Sequence, residues 1–236
     1  AQLPDGAESA FADPGRAMAI GRQFGANLAE FLPGPGDGPA RVECAGAETV
    51  DRGKLRTLVQ GLRPNDAITE TLGFDPQQAP VLGEYEVVVV GGGTGGAPAA
   101  IAAGRAGAST LVLDACSVPG GVGPVGQIAR YWFGNRVGFT AEIDQGVASL
   151  ETDERFQKGA GAWSRAAKAH WFLENGASAG AEYWFNTFCV GAWVIDGAVR
   201  GVLTAGPAGF GLIKAKCVVD STGCADVAAA AGAPTR

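Results

Sequence analysis

Between residues 85 and 114 the chain reads YEVVVVGGGTGGAPAAIAAGRAGASTLVLD: an apolar run, a burst of glycines, small residues at helical spacing and a second apolar run ending in an acid. Val87 to Val90 predicts a strand buried on both faces, as the central strand of a parallel sheet must be. TLVLD predicts a second strand, and the segment between them a helix whose small-residue stripe, Gly96, Ala100, Ala103 and Gly107, packs close to the sheet. Pro98 is tolerated if it falls in the first turn of that helix, where a missing N–H costs nothing.

Upstream, Asp13 as N-cap, Pro14 at the first helical position and the stripe Ile20, Phe24, Leu28 predict a helix over 13–32. PGPGDGP at 33–39 ends it as a loop. In KLRTLVQGL, Leu55, Leu58, Val59 and Leu62 stand at helical spacing, although so short a segment also suits a strand. FDPQQAPVLGE reads as a linker, which sets a small N-terminal region of unknown role at 1–82 and a second domain at 83–236. Downstream, two helical patterns cover 140–150 and 159–176, the latter with Trp163, Ala166, Ala167, His170 and Leu173 near one face. Strand signals then crowd together in EYWFNTFCV, AWVID, VRGVLTA, GLIKAK and CVVDSTG, with a tight hairpin turn at Asp196-Gly197. A βαβ unit followed by an antiparallel meander gives an α/β layer architecture.

Composition narrows the partners. The chain is 47% hydrophobic and 18% charged, a globular balance, and its formal charge of -6 with scattered Lys and Arg argues against nucleic acid or an anionic membrane. Five dispersed cysteines without CxxC spacing argue for reduced, buried thiols and against a metal cluster. Neither a membrane span nor a signal peptide is visible, so a cytoplasmic location is expected. The first residue is Ala1 instead of Met, as in a processed product or a piece of a longer chain.

Gly91, Gly93 and Gly96 satisfy GxGxxG, with Thr94 and Gly95 inside the loop. The first glycine permits a tight turn, the second lets a pyrophosphate approach the backbone, and the third brings helix and strand together. Free N–H groups and the helix dipole would meet the phosphates. Asp114 lies 23 positions after Gly91, near the spacing at which an acid reaches the adenosine ribose, and its charge disfavours a 2′-phosphate. A dinucleotide site follows. A glycine-rich turn that binds nothing is the bland alternative.

VPGGVGPVGQIARYWFGN and CVVDSTGCADVAAAAGAP decide between dinucleotides. With the pattern from Gly91 to Gly107, the Gly120-Gly121 pair and the DSTGCADVAAAAG ending, residues 84 to 236 resemble the FAD-dependent oxidoreductases. These are glutathione reductase-type Rossmann flavoproteins related to heterodisulfide reductase and fumarate reductase flavoproteins. The resemblance implies a Rossmann-like FAD-binding domain, a parallel sheet with helices on both faces and an inserted antiparallel β-meander. It also implies that Gly120, Gly121 and Gly123 pass by the flavin and its pyrophosphate, that Thr222, Gly223 and Asp226 approach the cofactor, and that the backbone of Cys189 pairs with adenine. A substrate domain would follow in such flavoproteins, so the chain reads as an N-terminal portion. The catalytic residues and the small-molecule substrate stay unassigned. An electron-transfer subunit serving iron–sulfur partners, an NAD-dependent dehydrogenase and a nucleotide-binding fragment are the alternatives.

Asp220 and Asp226 are equally well explained as capping or turn residues, and Arg130, Asn135 and Arg136 as anion ligands or as surface. The lone His170 and the aromatics Tyr131, Trp132, Phe133, Trp163, Trp171 and Trp184 are expected to pack in helix faces and core.

Overall fold

The computed structural model describes residues 54–57 and 79–234. The helix expected over 13–32 and the loop at 33–39 lie outside them. Seven strands form one sheet: β1 (Lys54–Thr57), β2 (Val81–Val90), β3 (Thr110–Asp114), β4 (Ala181–Phe185), β5 (Phe188–Ile195), β6 (Ala198–Gly206) and β7 (Gly209–Asp220), in the order β1-β5-β6-β7-β2-β3-β4. The chain at 54–57, open between helix and strand in the sequence, is a strand that pairs antiparallel with β5.

β7, β2, β3 and β4 run parallel, and β5, β6 and β7 form the antiparallel meander. The two share β7: its first half pairs with β6, and residues from Leu212 to Asp220 pair with β2. GLIKAK and CVVD, two strand signals in the sequence, are therefore one strand of 12 residues. At the hairpin, Asp196 and Gly197 both have positive φ, 48° and 77°, as a type I′ turn requires.

Among the described residues there are four α-helices, α1 (Gly96–Arg105), α2 (Phe139–Leu150), α3 (Arg165–Ser178) and α4 (Asp226–Ala231), and one 3-10 turn at Glu154–Phe156. Alternation along β2 and β3 sorts the layers. Val88, Val90, Leu111 and Leu113 face the meander residues Ala192 and Val202 and the α4 residues Val227 and Ala230. Val89 and Val112 face the other way, against Ala100 of α1. Beyond α1, Ile101 packs with Ile143, Trp163, Ala167, Trp171 and Phe172 of the helical layer. Helices thus lie on both faces of the parallel sheet, and the meander shares one face with α4. Pro98 is the third residue of α1, inside the first turn, where its missing N–H leaves no intrahelical bond unmade. Among the described residues no helix is long and apolar enough to cross a membrane.

Candidate dinucleotide site

Strands β7, β2, β3 and β4 end on the same side, so the chain segments after Val90, Asp114, Phe185 and Asp220 collect along one rim, where open α/β sheets place ligands. The first loop is set by steric necessity. Gly91 has φ +91°, and a Cβ there would run into the Ser221 carbonyl. A Cβ at Gly96 would strike the Gly91 carbonyl, so helix and loop touch only because neither residue carries a side chain. Gly93 differs: its Cβ would meet nothing nearer than the Gly121 Cα at 3.8 Å. The fold itself does not need a glycine there. The amides of Gly95 and Gly96 donate to no backbone carbonyl among the described residues, leaving the N-terminus of α1 open to an acceptor.

The second glycine loop is tied to the first. The Gly120 N–H donates to the Gly92 carbonyl at 2.8 Å, and the Thr94 hydroxyl to the Gly120 carbonyl at 3.4 Å. A Cβ on Gly121 would stand 2.9 Å from the Gly93 Cα. Residues 26 to 28 positions apart, read as parts of one site in the sequence, are in contact here.

Asp114 closes the side of the loop. It is buried at the end of β3, and its Oδ1 accepts the Cys116 N–H at 2.8 Å. Its backbone carbonyl accepts the Thr187 N–H at 3.0 Å. Burial pushes its carboxyl above the usual range, against the pull of the Cys116 and Gly92 amides. Sequence reasoning missed Gly92: a Cβ there would stand 2.7 Å from Asp114 Oδ2, so this glycine makes room for the acid. The signal was present as the unneeded middle residue of the GGG run.

At the end of β7, Asp220 is a capping residue. Its Oδ1 accepts the Thr222 N–H and hydroxyl at 3.2 and 2.8 Å, and its Oδ2 accepts the Ala228 N–H at 2.9 Å. The Thr222 hydroxyl oxygen in turn accepts the Asp226 N–H at 2.9 Å. Asp226 is the exception in this network, because its Oδ1 is buried with no hydrogen-bond partner, and burial with the Asp220 charge pushes its carboxyl up. Gly223 turns the chain between them with φ +84°. Cys189 stands in the β5–β6 ladder opposite Thr204, with its thiol donating to the Gly191 carbonyl at 3.3 Å. Burial raises that thiol to about 11, and Asp220 and Asp226 push the same way; Cys189 packs against the apolar cluster that includes Val227 and Ala230 of α4. The backbone that meets Asp114 is Thr187, two residues earlier.

The aromatic residues divide. Trp163 and Trp171 are buried as expected, whereas Trp132 and Phe133 are 73% and 96% exposed. Their place in an irregular loop, instead of on a helix face, explains the failed expectation. His170 is solvent-facing, 3.7 Å from Glu174, with its ring 4.9 Å from that of Phe156 and tilted against it. Arg136 is held by Asp144 at 2.7 Å, and Arg130 lies over the Trp132 ring.

The profile of a family described as FAD dependent oxidoreductase matches residues 86–236. No curated protein matches the chain. Among solved structures it is similar to a geranylgeranyl bacteriochlorophyll reductase-like protein from Thermoplasma acidophilum, at 22% identity and a TM-score of 0.44, over 63% of this chain and 42% of that one. A myxobacterial chondrochloren halogenase gives 17% identity and 0.46, over 60% and 37%. The L-proline dehydrogenase of P. horikoshii gives 15% and 0.47, over 68% and 57%. The chain thus spans less than half the length of the first two.

Proposed function

We propose that this chain, which belongs to the FAD dependent oxidoreductase family, holds FAD across the rim formed by its two glycine loops, Asp114 and Asp226, and positions the flavin for oxidation or reduction of a small-molecule substrate. FAD is the cofactor of that family, and bound here it would supply the redox chemistry, accepting or giving up a hydride or electrons at its ring.

The chain's own work is binding and orientation. The amides at Gly95 and Gly96 would donate to the pyrophosphate, at the end of α1 where the dipole favours negative charge. Asp114 would accept from the adenosine ribose hydroxyls beside Gly92. Asp226 Oδ1, buried and without a donor, fits a hydroxyl of the cofactor's ribityl chain. The single observation that carries this reading is the direct bond between the loops, Gly120 N–H to Gly92 carbonyl, which makes one cradle out of two distant glycine runs.

The test is optical. Titration of the purified chain with FAD should quench flavin fluorescence to saturation, with NADH and NADPH failing to compete at equal concentration. Saturation by the nicotinamide cofactors instead of FAD would overturn the assignment. A role in relaying electrons to iron–sulfur partners has no observation of its own to favour it.

A further inference from the structure

Away from the glycine loops, between α2 and α3, lies a cavity of about 120 Å³ lined by Arg136, Asp144, Glu151, Lys158, Trp163 and Lys168. Lys168 is the unusual member. It is only 4% exposed, a rare state for a lysine that lacks an ion-pair partner. Its Nζ donates to the Tyr131 hydroxyl at 2.9 Å, and among the described residues no carboxylate lies within ion-pair distance of it. The rings of Tyr131 and Trp163 flank it at 4.6 and 4.2 Å, which shelters the cation but leaves N–H directions unused. Trp163 is 7% exposed, and its indole Nε1–H is buried without an acceptor. One buried donor on this small cavity, the Trp163 indole, therefore lacks an acceptor, and a second, the Lys168 ammonium, has a single neutral hydroxyl for its three N–H groups, a costly arrangement unless something fills the space.

Charge selects what that something is. Asp144 is already taken by Arg136 at 2.7 Å and by the Tyr131 hydroxyl at 3.2 Å. Glu151 is taken by the Ser164 N–H and by Lys158 at 3.7 Å. Three cations against two engaged carboxylates leave the lining one positive charge in excess. The volume suits a molecule of a few heavy atoms, since a water in the liquid takes roughly 30 Å³.

The geometry points to a binding site for a small monocarboxylate, whose two oxygens accept from Lys168 Nζ and Trp163 Nε1 while its short carbon chain lies against Val147, Ala148 and Ala162 of the lining. The site is separate from the cofactor rim but adjoins it: a Cβ on Gly123, in the second glycine loop, would stand 3.7 Å from Lys168 Cδ. Burial lowers the Lys168 amine to about 8, so the cation that the site needs is lost in mildly alkaline solution.

The indole N–H resonance of Trp163, identified by its loss in Trp163→Phe, reports on the site directly. Titration of the full chain with sodium acetate at fixed ionic strength should shift that resonance to saturation, with affinity falling as pH rises through about 8. Sodium chloride at the same concentrations should leave it in place. Lys168→Met should weaken acetate binding roughly tenfold or more, the scale of a lost charge-assisted hydrogen bond. If Lys168→Met does not fold, Lys168→Arg fills the cavity with a larger head group and must likewise abolish the shift. An unsaturable response, a cavity holding water only, an equal response to chloride, or undiminished binding in a folded Lys168 variant would each overturn the proposal.

Discussion

At the scale of single residues, two glycines of the same motif owe their identity to different forces. Gly96 is fixed by the fold, because a Cβ there drives into the Gly91 carbonyl, while Gly93 has a clear 3.8 Å to its nearest neighbour. Gly96→Ala should therefore destabilise the protein by about 1–3 kcal/mol, the usual cost of overpacking against backbone, seen as a lower midpoint in urea. Gly93→Ala should leave that midpoint nearly unchanged and weaken FAD binding. Equal loss of stability in both variants would show that Gly93 is structural too. Asp114 is the third residue of this kind, buried beside an amide and pushed towards protonation by its surroundings. Asp114→Ala should weaken FAD by about 1.5–3 kcal/mol, as expected for a charge-assisted bond, and a fluorescence titration with unchanged affinity would make it a bystander.

At the scale of elements, α4 and α3 show where local sequence speaks and where it does not. α4 has only six residues, too short to be stable on its own propensity, and Asp220 holds its entrance with three hydrogen bonds. Asp220→Ala should cost about 1–2 kcal/mol of stability by thermal or urea unfolding, the scale of a lost helix cap. A neutral effect would mean that α4 is held by Val227 and Ala230 alone. The cap was one of two open readings in the sequence, because an acid before a helix looks the same whether it bonds backbone or ligand. α1, β3 and the 87–90 end of β2 were legible, since a buried parallel strand, a small-residue helix face and a glycine turn each leave a local pattern. Residues 81–84, read as part of a linker, are instead the first part of β2, where Gly83 and Glu84 break the apolar run. The unity of β7 was not, because its partner changes from β6 to β2 partway along and the pattern of burial changes with it. Lys168 was invisible for a similar reason: only the packing of α3 against Tyr131 and Trp163 buries it. Its lowered pKa has a sign that can be checked. Between about 8 and 10.5 the unfolded chain holds this proton and the folded one does not, so stability rises with pH in that window. In carboxylate-free buffer, wild type should gain on Lys168→Met from pH 8 to 10. A constant difference would show that the amine stays charged throughout, with the cation–π contacts offsetting burial.

At the scale of the whole molecule, the functional rim exists because one sheet serves two layers. The parallel strands bring Gly91, Asp114 and Asp220 to the same side, and the meander and α4 cover the face that α1 does not. No single segment makes the site, so a ligand on it must fix several segments that are far apart in the chain. That gives a prediction independent of affinity. On saturation with FAD, backbone amide exchange should slow together at 91–96, at 120–123 and at 222–226, because the first two loops are bonded to each other through Gly92 and Gly120 and the third meets the first where Gly91 abuts Ser221. Global stability should rise as well, by about 2.7 kcal/mol at a free FAD concentration of 100 times its dissociation constant. Exchange at β1 (Lys54–Thr57), on the far edge of the sheet, should slow only as far as that global gain requires. Protection confined to 91–96 would mean that the second glycine loop and α4 stand outside the site, and that the bond between Gly120 and Gly92 serves the fold and not the cofactor.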